Sequence, residues 1–599
     1  MSRLAAAARS HRAIALYLCI VATATLHYSS KTLGFTRDEG YYFDAGELYW
    51  EWFSEVGEGV IHGKPLAAFS RAAIDRGWNY NHEHPPLMKC LFGMSWRLFH
   101  KCNCPKQQGR HPLGYGTKHR TLGIFTESEA MRFPSHLFGG IMVALAFLFA
   151  ARAWSTLAGL VAGVLSLAAP HIFFHSNLSC FDAPMATTWL LVVYCYWRSL
   201  DERKWAWRTG VAFGFALITK LNAFFLPPLL IAHYLWVRRD RLRALKLPPI
   251  PASFAWMGAL GPVMHLGLWP WMWFDTVTYH PVGPFLRRFH GRFPEYVMFH
   301  VNHVYYNFEY LGINYNKPPF PRSTAFVMTL FTAPVTTLLL ALVGTILLAV
   351  VALRRKEAMT VPAVAPDWHA PAAGMDKATG LLVFGNALFP PAIIAITGAP
   401  IFGGTKHWLT AIPFIAILAG VACDRFVRAL RANAAQGSWP YRLAPSLVAL
   451  VACAPGIAET VRSHPYGMSH YNLLAGGPAG AADLGMNRQF WGYATRGILT
   501  WLNRAAHQNA PVYWHDANQI MLNMDVREQF LRDDIGNTGL EEPGVKASDY
   551  AMVVHEKHFN KYEYWIWDFY GTARPSKVLT LEGVPLVTTY TRPPMENIK

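Results

Sequence analysis

The sequence predicts a mostly α-helical, polytopic membrane protein: a bundle of about 11 transmembrane helices with large periplasmic loops and a small C-terminal α/β domain. Three observations lead there. Long apolar runs recur from residue 13 to about residue 460, each bounded by Arg/Lys clusters. Hydrophobic residues make up 52% of the 599-residue chain and charged residues only 15%, against about 25% charged in soluble domains. The basic clusters also fall, by parity, on one side of a membrane.

Spans are expected near 13–29, 133–151, 156–174, 183–198, 206–220, 221–237, 252–274, 324–353, 379–399, 407–424 and 443–460. The start, with Arg3, Arg9 and Arg12 before an apolar stretch and Ala-Thr-Ala at 22–24, resembles a signal peptide, but the many later spans make it an uncleaved first helix. Segment 86–100 is short and carries Lys89 and Arg97, as an amphipathic helix in the interface would. Taking it as interfacial gathers Arg3/Arg9/Arg12, Arg198/Arg203/Lys204/Arg208, Arg238/Arg239/Arg241/Arg243/Lys246, Arg354/Arg355/Lys356 and Arg425/Arg428/Arg431 in the cytoplasm. Counting it as a span would put every cluster after the first loop outside, against the positive-inside bias.

The organisation that follows is a transmembrane domain over 1–460 and a periplasmic α/β domain over 461–599. The first contains outer loops at 30–132 and 275–323, and an Ala/Pro-rich cytoplasmic linker at 358–373. A mean hydropathy of only +0.16 agrees with large aqueous loops. Strands are expected at Pro511–His515, Tyr550–Val554 and Pro585–Tyr590. The net charge of +17 is explained by the membrane-flanking clusters, so no nucleic-acid partner is expected. Cys19, Cys180, Cys195, Cys423 and Cys453 read as small core residues, and Cys102 with Cys104 as a weak disulfide or metal signal.

The first chemical signal is Thr36-Arg37-Asp38-Glu39-Gly40-Tyr41-Tyr42, directly after the first helix. Of two adjacent carboxylates at a membrane surface, one could accept a proton from an attacking hydroxyl while the other binds a cation or orients the acceptor; the plain alternative is a helix boundary in an aromatic belt. In Asn81-His82-Glu83-His84-Pro85-Pro86, an imidazole could face a metal or phosphate, or the segment simply opens a helix. Asp182 stands at the outer mouth of a helix on the same side, where aspartate also serves as a cap. Lys220 interrupts two apolar helices, at a cost of about 2.5–3.5 kcal/mol unless it snorkels. Lys406 and His407 place further polar groups at a helix end. Arg287, Arg288, His290, Arg292, His300 and His303 crowd the second loop with Tyr305 and Tyr306, of which His303 and Tyr306 are the candidate substrate contacts. No P-loop, G-x-G-x-x-G, H-E-x-x-H or G-x-S-x-G motif occurs, so the driving energy must arrive with the substrate.

Asp38-Glu39, His84-Pro85-Pro86-Leu87, Phe181-Asp182-Ala183-Pro184 and Thr219-Lys220, in this order and on one side, resemble the GT-C glycosyltransferases related to protein O-mannosyltransferases and lipid A aminoarabinose transferases. Gly404-Thr405-Lys406-His407 and the segment His464–Asn472 resemble stretches common in bacterial members, so the likeness runs over roughly 30–480. It implies a GT-C-like bundle in the inner membrane, with its active site facing the periplasm. It implies a polyprenyl-phosphate sugar donor and a glycan, lipid or protein acceptor among membrane lipids. Asp38 would then be the general base with Glu39 in support, and Asp182 a second acid orienting the acceptor or holding a divalent metal ion, the one cofactor left open. His84 would lie near the pocket, and Lys220, Lys406 and His407 would neutralise the leaving phosphate. One displacement at the anomeric carbon would invert it. Two other readings stay open: a polymerase or ligase of lipid-linked glycans, and a flippase or transporter, although the notable acids lie at the membrane boundary rather than the midplane.

Overall fold

A computed structural model describes residues 11–101, 122–282, 286–353, 376–397, 403–558 and 560–594. Cys102, Cys104 and the 358–373 linker lie outside the described residues.

Among the described residues, five helices are long and apolar enough to cross a membrane: His11–Thr32, Glu127–Ala153, Ala378–Ile396, Gly404–Ala432 and Trp439–Ser463. Two bent pairs, Thr156–Leu165 with Pro170–Ser176 (74°) and Thr324–Thr332 with Val335–Val351 (117°), raise the number to seven if each is one span. Pro170 and Pro334 stand at these breaks, where the missing N–H stops a helix from continuing. This is a multi-pass membrane protein. The other four apolar runs are helical but do not meet both requirements: Ala206–Leu217, Leu226–Val237 and Ala252–Gly267 have only 12, 12 and 16 residues, and Asp182–Ser199, long enough at 18, is not apolar enough. Twelve residues rise about 18 Å, against a hydrocarbon core of about 30 Å. The expected eleven spans therefore reduce to five to seven by this measure. Hydropathy does not register the break at Lys220, the 3-10 turn Leu221–Phe225 or the pair Pro227-Pro228.

Six helices position the site: α1 (His11–Ser29), α2 (Glu39–Ile61), α3 (Leu87–Phe99), α4 (Glu127–Ala153), α5 (Asp182–Ser199) and α6 (Ala206–Leu217). A capping box starts α4, with Thr126 and Glu129 each satisfying the other's backbone N–H. Gly140 lets α1 lie close on α4, since a Cβ there would overlap Cys19 and Thr23. Nearly all of α5 is buried, packed by α4 and α6.

At 13 residues, α3 is too short to span and carries the expected Arg97. Lys89, however, does not reach for water. It is fully buried, donating to the carbonyls of Asn81 (2.5 Å) and His84 (2.8 Å), with its ammonium 4.9 Å from the Tyr49 ring centre. Burial, partly offset by Glu83, pushes it down to about 7. α2 and α3 cross backbone to backbone at Gly46 and Gly93, where a Cβ on Gly93 would overlap the Gly46 carbonyl. That crossing fixes the start of α2 relative to the loop before α3. Gly93→Ala should therefore destabilise the fold by about 1–3 kcal/mol, visible as a lower melting temperature in detergent.

Beyond the bundle, β1 (Thr278–Val282) and β2 (Leu286–His290) form one hairpin, and β3 (Phe308–Tyr310) and β4 (Ile313–Tyr315) another. After residue 510, helices alternate with β5 (Pro511–Trp514), β6 (Gly536–Asn537), β7 (Tyr550–Val554), β8 (Lys577–Leu581) and β9 (Val584–Thr591). They make one sheet in the order β6-β5-β7-β9-β8, with β5 parallel to both neighbours and β9 antiparallel to both of its own. The three segments expected to be strands fall in β5, β7 and β9.

Candidate active site

Asp38 precedes the first turn of α2 in the N-cap position, yet its side chain caps nothing. Its carboxylate is half-buried and, among the described residues, accepts no hydrogen bond. Tyr42, one turn on, is buried against Phe181 (ring centres 4.4 Å apart) and His84 (5.9 Å). Burial, with Asp38 and Asp182 both nearby, holds the Tyr42 phenol protonated. Phe181 also packs on His84 at 5.0 Å and precedes Asp182, the first residue of α5. Three short motifs from distant sequence thus meet on one aromatic floor.

Glu39 turns the other way. Its carboxylate is buried, accepts two bonds of 2.8 Å from Arg132, and takes the N–H groups of Thr36 and Ser179 at 3.0 Å each. Both oxygens of Glu39 are thus engaged by donors, whereas the neighbouring Asp38 carboxylate is not hydrogen-bonded among the described residues. Glu39 instead ties the Asp38 loop to α4 and to the turn that leads to Asp182. Replacing Arg132 with Met would leave that carboxylate buried and unpaired. The expected cost is about 3–5 kcal/mol, measured as a loss of thermal stability, whether or not the protein is turning over.

Asp182 is nearly buried, with the Lys220 ammonium at 2.5 Å and His175 Nδ1 at 3.7 Å. Burial pushes its carboxyl up, but Lys220, His175 and Lys406 outweigh this and hold it below the usual carboxylate range. Lys220 occupies the extended residue just past α6 that interrupted the apolar run. Lys406 lies over the Trp491 ring at 4.5 Å, within electrostatic reach of Asp38, Asp182 and Lys220. Asn222 donates to the His407 carbonyl at 3.2 Å, joining the two lysine-bearing segments.

His84 is brought to the centre as expected. Burial first, and then the neighbouring His300, Lys89, Lys220 and Lys406, hold its imidazole well below its ordinary value. His303 and Tyr306 stand one layer out: their rings pack on each other at 5.9 Å, and His303 on Phe299 at 5.4 Å, while His300 and Phe299 are the residues that meet His84.

Residues missed by the sequence complete the site. His175 is buried in the apolar helix Pro170–Ser176 with neither ring nitrogen hydrogen-bonded, and its ring meets Trp491 edge-on at 5.4 Å. Trp491 holds φ at 69°, a left-handed backbone rare for a bulky side chain. Its only sequence signal is its size; a histidine inside an apolar run was the available signal for His175.

His175, Cys180 and Asp182 offer three possible metal-ligand atoms within 4.8 Å of one another. A His/Cys/Asp set suits a zinc-like ion. Here, however, Lys220 already neutralises Asp182, while burial and Asp182 hold the Cys180 thiol protonated. An ion held there would have to displace the Lys220 ammonium from Asp182.

Taken together, the site is a juxtamembrane carboxylate–lysine centre in a multi-helix membrane protein. Residues 121–269 match the family model of dolichyl-phosphate-mannose-protein mannosyltransferases, which bears out the resemblance drawn from the motif order. Among curated proteins, none matches. Similar solved structures include ArnT from Cupriavidus metallidurans in the apo state, at 14% identity with a TM-score of 0.45 over 96% of this chain and 97% of that one. The same protein bound to undecaprenyl phosphate gives 14% and 0.43 over the same shares. The Archaeoglobus fulgidus oligosaccharyltransferase in the apo form gives 12% and 0.41 over 82% of this chain and 58% of that one.

Proposed function

We propose that this chain is an integral-membrane, inverting glycosyltransferase that moves a sugar from a polyprenyl-phosphate carrier to a hydroxyl acceptor at the outer face of the membrane. The observation that carries this reading is the Asp38 carboxylate, without a hydrogen bond among the described residues and set within electrostatic reach of Lys406, which also feels the Asp182–Lys220 pair.

An acceptor hydroxyl is far too weak an acid for a carboxylate to ionise it outright, so its proton must pass to Asp38 as its oxygen attacks the anomeric carbon. The bond from that carbon to the carrier phosphate breaks in the same displacement. Charge growing on the phosphate oxygen is met by Lys406 and Lys220, fixed cations in a largely desolvated site. Asp182 and Glu39 touch no reacting atom in this scheme: one aims Lys220, the other holds the loop. The carrier's sugar, its length and the acceptor's class are set by surfaces that the motif residues do not define.

Purified protein in nanodiscs, given radiolabelled polyprenyl-phosphate sugars and an envelope extract, should move label out of the lipid fraction. The product's anomeric configuration, read by NMR, should be opposite to the donor's. Retention would sink the single-displacement mechanism. Lipid scrambling without transfer would favour a flippase.

A further inference from the structure

We propose that the C-terminal sheet sets the position of Asp38, with Arg37 as the positioning residue through which it acts. The inference rests on the role given to Asp38 above, but the contacts that carry it lie elsewhere. Among the described residues the Asp38 side chain makes no hydrogen bond, and its carbonyl accepts only the helical one from Tyr42 at 3.4 Å, so its place is set by its chain neighbours. Both sides of it are held by residues some 480 positions later in the chain.

On one side, the Arg37 guanidinium bridges two carboxylates. It reaches both oxygens of Glu556 at 3.0 and 3.1 Å, and it is ion-paired with Asp516. The Arg37 carbonyl accepts from Asn518 at 3.0 Å, and its N–H donates to the Trp491 carbonyl at 3.1 Å. A planar fork matched to two acids, with both backbone groups also engaged, leaves residue 37 little freedom. On the other side, α7 (Gln519–Arg527) packs Ile520 and Met524 directly on Gly40, where a Cβ would overlap Ile520.

The sheet's topology explains why this grip is available. Asp516 and Glu556 follow the carboxyl ends of β5 and β7, adjacent parallel strands. The crevice beyond such strand ends is where open α/β sheets take ligands. Here the protein's own Arg37 fills it, and Asp516 adopts φ of 62° to face it. A surface arginine serving only solubility would not bridge a buried Glu556 and a half-buried Asp516, since a desolvated charge group is retained at a cost.

The test compares wild type with Asp516→Asn, Glu556→Gln and the double variant, as full chains in nanodiscs. Hydrogen exchange of peptides covering residues 36–43 should be about tenfold faster in the double variant, while β5 and β7 keep their protection. In the label-transfer assay kcat should fall about tenfold with the donor KM within about twofold, because binding is spared and the base is misplaced. Arg37→Lys, which keeps the charge but cannot bridge both acids, should fall between. Unchanged exchange and turnover would overturn the proposal. So would loss of protection across the whole sheet, which would make the acids plain stabilisers. If wild type transfers no label at all, the glycosyltransferase reading fails, and the exchange arms still decide whether the clamp holds the loop.

Discussion

Asp38→Asn is expected to lower sugar transfer by about 10²- to 10⁴-fold, the range a general base supplies, with the donor KM nearly unchanged. The substitution keeps the shape of the side chain and removes only its ability to take a proton. Asp38 caps no helix and accepts no hydrogen bond among the described residues, so the variant should melt with wild type. That combination separates chemistry from folding. Glu39→Gln, one residue on, should do the reverse: it weakens a buried pair with Arg132, and so lowers the melting temperature, and any loss of turnover should follow the loss of folded protein. Equal transfer by wild type and Asp38→Asn would remove Asp38 as the base and, with it, the site as read here.

This contrast marks the limit of what the sequence discloses. Adjacent acids after a membrane helix are visible as a motif, but their division of labour is not. Successive residues of a helix turn by about 100°, so one carboxylate faces the open centre and its neighbour faces the interior of α4. Arg132, Glu39's partner, reads in sequence as an ordinary basic residue at the edge of a span. Lys220 was legible because it breaks an apolar pattern at a cost that needs a reason, and Asp182 and His84 because they stand at helix boundaries on the same side as Asp38. His303 and Tyr306 shared that crowding, yet they stand one layer outside, since density of polar residues in a loop says nothing about which face it presents. His175 lay hidden inside an apolar run. Asp516, Glu556 and Trp491 lie in the tail, where no periodicity connects them to residue 37. The count of eleven spans is not confirmed for a related reason: hydropathy sums composition over a window and passes across a proline break or a single lysine, whereas a helix does not.

Lys220→Met is expected to lower kcat by about 10²- to 10³-fold, the loss found when one preorganised donor to a developing oxyanion is removed. Lys220 has two duties that a single variant confounds: it neutralises buried Asp182, and in the proposed reaction it meets the leaving phosphate. A double-mutant cycle with Asp182→Asn separates them. Lys220→Met alone leaves Asp182 without its nearest cation and should lower the melting temperature; adding Asp182→Asn removes the stranded charge and should restore much of that stability. Activity should not return, because the cation facing the phosphate is still missing. The pH dependence supplies a second check. A carboxyl whose folded pKa lies below its unfolded value contributes stability that is fully present above the unfolded value, about 3.8, and is lost as pH falls through the lower folded one. The Asp182–Lys220 pair should therefore contribute no change in melting temperature between about pH 5 and 8. Its share should appear only in stronger acid, and only in protein that retains Lys220. If the double variant regains turnover along with stability, Lys220 serves the fold alone, and the phosphate charge must be met by Lys406.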